Sequence, residues 1–235
     1  VPLGVALAWV CVLGAGRYAL ESAHATKLAE YRDGVGRLWD RKGLPPAAVD
    51  YLEFVKMLNP DGQLRHYPGS PWLASQLLRE FVRLTGYPIT STLMGLGAYP
   101  ASDKQWLGML GMHGTYEANL AMHGCDVMIN IGARFDDRIT GRTDAFSPNS
   151  KKIHIDIDRS SINKVVPVDL GILGDCGTVL GQLIEAWGSR TARDLGEWKA
   201  RIAGWRAREC LAYPERSVKH PNMIMPQKAI ERLYA

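Results

Sequence analysis

The chain has 235 residues, of which 46% are hydrophobic and 22% charged, with 24 glycines and 13 prolines. This composition excludes collagen-like, disordered and disulfide-scaffold proteins. The net charge of +4 comes from 28 basic and 24 acidic residues and is too small and dispersed to indicate nucleic-acid binding. The densest basic stretch, 201–216, is interleaved with Glu209 and Glu215, a pattern typical of a solvated helix face.

The cysteines lie tens of residues apart, so that no CxxC pair and no metal knuckle exists. Their spacing predicts reduced thiols in a cytosolic chain. The four residues are Cys11, Cys125, Cys176 and Cys210.

Residues 1–16 are almost entirely apolar, but they are fewer than the roughly 20 residues that a membrane span needs. No basic flank precedes them, as it would in a signal peptide. We interpret this segment as a buried strand or helix, or as an ill-packed terminus, with a membrane anchor as the alternative. Because the chain does not begin with Met, the sequence suggests an excerpt of a longer product or a damaged reading frame.

The next region is predicted to be mostly helical, with helices over 18–39 and 46–57. A turn at 59–62 and a loop at 67–71 follow. An amphipathic helix over 72–84 then ends at Gly86.

From this point strands and helices alternate, which predicts βαβ units and a parallel sheet. The predicted strands are 88–92, 126–131, 152–158 and 168–173, and the predicted helices are 116–123 and 177–187, with a long loop over 94–114. A longer helix over 194–211 directs Trp198, Ile202 and Trp205 inward, a linker spans 214–226, and a further helix starts at Gln227. The predicted fold class is therefore α/β, an open parallel β-sheet flanked by helices, after a mostly helical N-terminal segment.

Ligands of open parallel sheets bind beyond strand ends and at helix N-termini, and four places have such a position: 92–95, 110–114 (a loop that opens a helix), 132–138, and Asp156 together with 174–176. Each has a structural alternative. His113 could be a surface residue in a packed loop, 136–138 a solvated turn with weak ion pairs, and a strand-end acid a helix cap. Taken together, the glycines, an arginine for phosphate and an acid for a ribose or adenine edge favour a dinucleotide.

Three strings in this region resemble the large, catalytic subunit of acetohydroxyacid synthase (acetolactate synthase): TSTLMGLGAYP at 90–100, LGMLGMHGTYEANLAMHGCDVMINIGARFDDRITG at 107–141 and KIHIDID at 152–158. The resemblance begins near Ala74 and runs to the end of the chain. The family strings together a thiamine-diphosphate-type domain, a central FAD-binding domain and a C-terminal thiamine-diphosphate domain. The matched part is similar to the central domain, and IMPQ at 224–227 resembles the start of the third.

The resemblance implies a set of FAD contacts and, in the full enzyme, a catalytic role for Arg138, which would receive the carboxylate of the acceptor 2-ketoacid. Met112 and Asp137, with Arg138, would line the substrate channel. The implied FAD contacts are Thr92, Leu93, Leu110, Gly111, Met112, His113, Gly132, Ala133, Arg134, Phe135, Asp136, Asp156, Ile157, Asp175 and Cys176.

The sequence also departs from the family. Ahead of the helix at Trp72, the family has a strand that ends in a run of glycines, whereas this chain has 64–71 without such a run. Residues 1–71 match nothing in that family. The glutamate that activates thiamine belongs to the first domain, and the metal-binding GDG…N motif belongs to the third. We therefore expect no metal site here and no catalysis by this chain alone.

Two functions follow as hypotheses. The first is a fragment of acetolactate synthase, which decarboxylates pyruvate and transfers the two-carbon unit to a second 2-ketoacid in the synthesis of valine, leucine and isoleucine. This part would bind FAD, and thiamine diphosphate and Mg²⁺ would belong to the parent enzyme. The alternative is a non-catalytic or degenerate nucleotide-binding module from a truncated or frame-shifted gene. An NAD-using domain is disfavoured because GxGxxG is absent.

The predicted organisation is an N-terminal segment over 1–71, an FAD-binding domain over 72–190, a packing helix over 191–213, and over 214–235 a linker and the start of a thiamine-diphosphate domain. The resemblance implies 2-ketoacid substrates, a homo-oligomer and a small regulatory subunit. We also expect a bacterial cytoplasmic location and no nucleic-acid or membrane partners.

Overall fold

The computed structural model describes residues 6–10, 17–19, 35–68, 70–208 and 219–234. The strands in chain order are β1 (Ala6–Val10), β2 (Arg17–Ala19), β3 (His66–Pro68), β4 (Ile89–Ser91), β5 (Trp106–Met109), β6 (Val127–Ile131), β7 (Lys151–Asp156) and β8 (Leu170–Leu173). The helices are α1 (Val35–Leu38), α2 (Pro46–Met57), α3 (Ser70–Thr85), α4 (Tyr116–Gly124), α5 (Asp137–Thr140), α6 (Cys176–Trp187), α7 (Gly196–Arg206) and α8 (Pro226–Tyr234).

Six strands form one parallel sheet in the order β5-β4-β1-β6-β7-β8. The predicted α/β fold with an open parallel sheet flanked by helices is confirmed. β1 pairs with both β4 and β6, so the apolar N-terminal segment supplies a central strand of this sheet. Its sequence, ALAWV, is the continuous apolar run that suits a parallel strand covered on both faces.

Helices cover both faces of the sheet. α3 and α6 pack together on one face, where Leu78, Phe81 and Leu180 meet Ile129 and Ile155 of the strands. On the other face, α4 and α7 pack around Trp198 and Ile202, together with Leu107, Met128 and Phe135. Because successive strand residues point to opposite faces, Met128 and Ile129 of β6 belong to different clusters.

A smaller unit forms around α2, where Leu52 and Val55 are buried against Leu38 and Trp39. Asn59, itself buried, links the end of α2 to β3. Its amide donates to the carbonyls of Val55 (2.8 Å) and His66 (2.7 Å), and its Oδ1 accepts from the N–H groups of Arg65 and His66. The predicted turn at 59–62 is confirmed by a bond from Gly62 N to Asn59 O of 3.0 Å.

Several predicted helices and strands are confirmed within a few residues, among them α2, α3, α4, α6, α7 and β6. Part of the predicted helix over 18–39 is wrong, because Tyr18 and Ala19 pair with β3 in an antiparallel two-stranded sheet, while 20–34 lie outside the described residues. The predicted loop over 67–71 is also wrong. Its first two residues belong to β3, which extends to Pro68, and its last two belong to α3, which begins at Ser70. Strand pairing overrode local propensity in both places.

β5 lies inside the stretch predicted as a loop over 94–114, so that prediction is also wrong. Gly108 interrupts the apolar run of β5 with φ +100°, and the register between β4 and β5 shifts there. An isolated glycine in a strand commonly marks such an irregularity.

Of the cysteines, the structure describes Cys125 and Cys176, both free, while Cys11 and Cys210 lie outside the described residues. Burial raises the pKa of the Cys125 thiol to about 11, which keeps it protonated and unreactive at neutral pH. Among the helices of the described ranges, none combines the length and the apolar character needed to cross a membrane. Of the predicted linker over 214–226, residues 214–218 lie outside the described residues.

Candidate functional site

The carboxyl ends of the six parallel strands lie at one level along the sheet. The register aligns Met109 with Ser91, Ser91 with Val10, Val10 with Ile131, and Ile131 with Ile155. Asp156 of β7 is then level with Leu173 of β8. All four predicted binding places therefore follow strands at the same sheet edge, which we call the carboxyl edge.

The strand order changes direction next to β1. From β1 the chain proceeds outward through β4 and β5 on one side and through β6, β7 and β8 on the other. In doubly wound sheets, the loops diverge at such a switch point and leave a crevice where nucleotides bind. Gly132, directly after β6, lies beside this point and donates its N–H to Ile155 O at 2.8 Å.

The loop after β6 is anchored by a buried aromatic residue. Phe135 is 1% exposed with φ +57°, and its ring makes edge contacts with Phe146 (centroid distance 5.7 Å) and His154 (5.1 Å). A positive φ is unusual for a bulky residue and indicates a conformation held by its surroundings. Because the side chains of Ala133 and Phe135 are buried, only their backbone can face a ligand.

The loop after β5 is held against the start of α5. Gly111 has φ +95°, and a Cβ at this position would lie 2.6 Å from Arg138 O. The next N–H, of Met112, donates to the same Arg138 carbonyl at 2.8 Å. The two loops that the sequence predicts as binding places are thus joined by backbone contact.

Two asparagines that sequence analysis did not single out support these loops. Asn119 of α4 makes hydrogen bonds to both the N–H and the carbonyl of Gly111, and Asn130 of β6 does the same for Ala133. Asn130 is fully buried within the apolar run VMINI. A polar residue within an apolar run is a sequence signal for a structural role, because a buried amide requires hydrogen-bond partners.

Exposed apolar side chains project at the carboxyl edge, where loops commonly carry polar ones. They come from the loops after β4, β5 and β7 and from the last residue of β8, and the members are Leu93, Met94, Met112, Ile157 and Leu173. Met112 is 64% exposed and Ile157 72%. Leu93 and Met94 lie in a short 3₁₀ turn whose N-terminus is capped by Thr92, which accepts from Gly95 N at 3.0 Å. We call this set the apolar rim.

The charged residues of the β6 loop differ in their pairing. Arg134 forms an exposed ion pair with Asp136 (Nη2–Oδ2 3.2 Å). Asp137 and Arg138 are exposed, and within the described ranges Arg138 makes no ion pair. The alternative to a binding role was a local ion pair between Arg138 and Asp136 or Asp137, and the guanidinium of Arg138 does not form that pair.

The acidic residues at the end of β7 and after β8 accept hydrogen bonds from nearby backbone N–H groups. Asp175 caps α6, its Oδ1 accepting from Thr178 N at 3.0 Å, which matches the capping alternative; Cys176 begins that helix. Asp156 Oδ1 accepts from Asp158 N at 2.8 Å. In the described part of the chain, no group of His, Cys, Asp and Glu could hold a metal ion.

His154 is a buried histidine beneath the β6 loop. Its Nε2 lies 3.5 Å from Asp156 Oδ2, and within the described part neither ring nitrogen makes a hydrogen bond of normal geometry. Burial lowers the pKa of His154, and the nearby charge of Asp156 opposes that shift only in part. The neutral imidazole is therefore the form that the folded chain favours.

This lowered pKa predicts a pH-dependent stability. Below about pH 6.5 the unfolded chain takes up a proton at His154 that the folded chain resists, so stability should fall as the pH drops from 7 to 5. Each unit by which the pKa is lowered corresponds to about 1.4 kcal/mol. Measured by chemical unfolding at pH 7 and pH 5, the free energy of unfolding of His154→Leu should fall less than that of wild type. An equal fall in the two proteins would contradict this.

Two family models match parts of the chain. Residues 69–183 match the thiamine pyrophosphate enzyme central domain. Residues 10–91 match a second family, described as ribosomal RNA large subunit methyltransferase D, RlmJ. The two ranges overlap at 69–91, which includes α3 and β4. The sequence predicted residues 1–71 as a mostly helical segment without a match in the acetolactate synthase family, and it did not predict the second match.

Relatives match about two thirds of the chain. It is 47% identical to the acetolactate synthase large subunit of Haemophilus influenzae and 46% identical to the acetolactate synthase isozyme 3 large subunit of Escherichia coli, each over 163 residues. These 163 residues are 68% of this chain and 28% of each relative. The large subunit from Corynebacterium glutamicum is 41% identical over 162 residues. The chain thus spans less than a third of these relatives.

Proposed function

Residues 69–183 make this chain a member of the family of thiamine pyrophosphate enzyme central domains, in the form found in acetolactate synthase large subunits, and on that premise we propose that its carboxyl edge binds FAD. The observation that carries the proposal is the alignment of the strand ends at the switch point, with the loops at 110–114 and 132–138 joined by the bond from Met112 N to Arg138 O.

The residues at this edge suit FAD chemically. The apolar rim offers surface to the flavin and adenine rings, which are large and mostly apolar on their faces. The N–H groups of Gly111, Met112, Gly132 and Ala133 are used within the fold. The exposed guanidinium of Arg134 is therefore the group that suits the pyrophosphate. FAD, when bound, supplies a redox-capable flavin, and the residues named here contribute binding and orientation.

Substitution of Arg134 tests the phosphate contact. A charge-assisted hydrogen bond contributes about 1.5–3 kcal/mol, so Arg134→Ala should weaken FAD binding roughly tenfold to a hundredfold in a fluorescence titration. Arg142→Ala is the matched control, because Arg142 forms the same kind of exposed pair with the aspartate two residues later, at 2.6 Å. If both variants bind FAD as wild type does, the phosphate contact lies elsewhere.

We further propose that the chain serves acetolactate synthesis, as the names of its relatives indicate. In that reaction Arg138 would receive the carboxylate of the acceptor 2-ketoacid, with Met112 and Asp137 beside it. The guanidinium of Arg138 is exposed and makes no ion pair with the described residues, which supports this role, since its planar fork matches a carboxylate in a way that lysine cannot reproduce. The proposal includes thiamine diphosphate and Mg²⁺ in the whole enzyme, a homo-oligomer, a small regulatory subunit and the bacterial cytoplasm.

Arg138→Lys tests the acceptor role in an enzyme that carries all three domains. The acceptor step should slow by at least about tenfold, or 1.4 kcal/mol, while flavin content and the first decarboxylation stay near wild type. Arg142→Lys should leave all three unchanged. Loss of flavin together with activity, or an unchanged acceptor step, would assign Arg138 a structural role.

A second candidate function follows from the match of residues 10–91 to a ribosomal RNA methyltransferase family. It would make the N-terminal part a methyl-transfer module that acts on ribosomal RNA. Incubation of the chain with ribosomal RNA and labelled S-adenosylmethionine tests it, and label in the RNA above that of a heat-inactivated sample would support it. Absence of label, with FAD bound, would favour the first function alone.

A further inference from the structure

Asn119 and Asn130 make the same pair of hydrogen bonds to different loops. The side-chain oxygen of Asn119 accepts from Gly111 N at 2.8 Å, and its nitrogen donates to Gly111 O at 2.9 Å. Asn130 accepts from Ala133 N at 3.1 Å and donates to Ala133 O at 2.7 Å. In both cases one amide pairs with the N–H and the carbonyl of a single loop residue.

The geometry of this pairing fixes backbone torsions. The N–H and the carbonyl of one residue are separated by its φ and ψ, so bonding both to one planar amide holds both torsions. Gly111 needs this support because its φ is +95°, in a region where glycine is otherwise free. Ala133 is two residues before Phe135, which itself has a positive φ.

The two supported residues lead directly into the proposed ligand contacts. Gly111 precedes Met112, whose N–H binds Arg138 O at 2.8 Å and so transmits the position of one loop to the other. Ala133 precedes Arg134, the proposed phosphate ligand. A loop that is already ordered loses little conformational entropy when a ligand binds. Its order therefore raises the affinity for the ligand without any new contact.

We propose that Asn119 and Asn130 are positioning residues that lock the two loops of the carboxyl edge in their ligand-binding conformation. The identity of the ligand rests on the proposed FAD function, whereas the locking of the loops does not depend on it. Neither asparagine needs to contact the ligand, because each acts through the backbone of the residue that it brackets.

The binding test compares aspartate and alanine variants in the full 235-residue chain, with FAD as the probe. An aspartate keeps the accepting oxygen but loses the donor, while an alanine loses both bonds and adds no charge. We expect Asn119→Asp, Asn119→Ala, Asn130→Asp and Asn130→Ala each to weaken FAD binding at least about tenfold, measured well below the thermal midpoint of each variant. Wild-type affinity in all four would overturn the proposal.

Two control variants separate locking from general loss of stability. Asn59→Asp loses donated bonds of the same kind in the unit around α2, and should lower thermal stability without changing FAD affinity. Asn163→Asp keeps the bond that Asn163 accepts from Val168 N at 2.8 Å and should change neither quantity. If Asn59→Asp weakens FAD binding as much as the loop variants do, the effect is one of stability and the inference is wrong.

Amide hydrogen exchange tests the locking without any ligand. In Asn119→Ala the Gly111 amide, and in Asn130→Ala the Ala133 amide, should exchange at least about tenfold faster, while the Val168 amide keeps its rate. Unchanged exchange at both positions would overturn the inference even if FAD binds. If wild type binds no FAD, the proposed function fails, and the exchange measurement alone decides whether the asparagines lock the loops.

Discussion

Replacing Gly111 with alanine should weaken FAD binding by at least about a hundredfold. The added Cβ would lie 2.6 Å from Arg138 O and 3.1 Å from the Cα of Ile139. Because these are backbone atoms, the clash cannot be relieved by a side-chain rotation. The loop must move away from α5, which breaks the bond from Met112 N to Arg138 O.

The matched control for this substitution is Gly62→Ala. Gly62 has φ +75° in the turn after α2, and nothing lies within 4 Å of the Cβ that alanine would add. Both variants place alanine at a positive φ, which costs about 1–2 kcal/mol, but only Gly111→Ala adds the clash. FAD titration should separate them, with Gly62→Ala near wild type. Similar affinities for the two variants would show that contact between the loops does not shape the site.

Replacing Trp198 with alanine should cost about 3–5 kcal/mol of unfolding free energy, the largest stability effect that we expect. Trp198 is 1% exposed and fills the core between α4, α7 and the sheet. Its ring makes an edge contact with Trp205 at 5.4 Å, and the guanidinium of Arg201 lies 5.2 Å from its centroid. Urea unfolding should give this loss as a lower midpoint with a similar slope.

Trp198→Phe should cost clearly less than Trp198→Ala. The indole Nε1 of Trp198 is buried without a hydrogen-bond partner among the described residues, and such a group costs about 1–3 kcal/mol. Phenylalanine removes this unpaired donor while it keeps most of the apolar volume. Trp187→Ala is the control at a half-buried position, where the indole donates to Arg190 O at 2.9 Å, and it should lose less. Equal losses for Trp198→Ala and Trp187→Ala would contradict the proposed core.

The sequence predicted the sheet because its signals there are local. The run that became β6 is mostly apolar, the run that became β7 alternates apolar and polar residues, and α3, α4 and α6 carry regular apolar faces. Parallel strand ends share one edge, so the candidate residues could be assigned to one place from their position after each strand. The capping role of Asp175 was likewise available from its position before a helix.

The features that sequence reasoning missed depend on long-range pairing. Nothing in residues 6–10 indicates that they lie between β4 and β6, because that placement is decided by partners more than 75 residues away. β2 and β3 pair across nearly 50 residues, which no local pattern records. Asn119 belongs to an ordinary helix pattern, and its importance appears only when the loop that it brackets is in place. Asn130 stands out as a polar residue within VMINI, but the sequence does not tell which backbone groups its amide binds.

The most direct test of the central claim is a titration of the full chain with FAD, followed by flavin fluorescence and the visible spectrum. The carboxyl edge should give one saturable site, weakened about tenfold to a hundredfold by Arg134→Ala and at least about a hundredfold by Gly111→Ala, with Arg142→Ala unchanged. Absence of saturable binding by the folded wild-type chain, or equal affinity in all four proteins, would contradict the assignment of FAD to this edge.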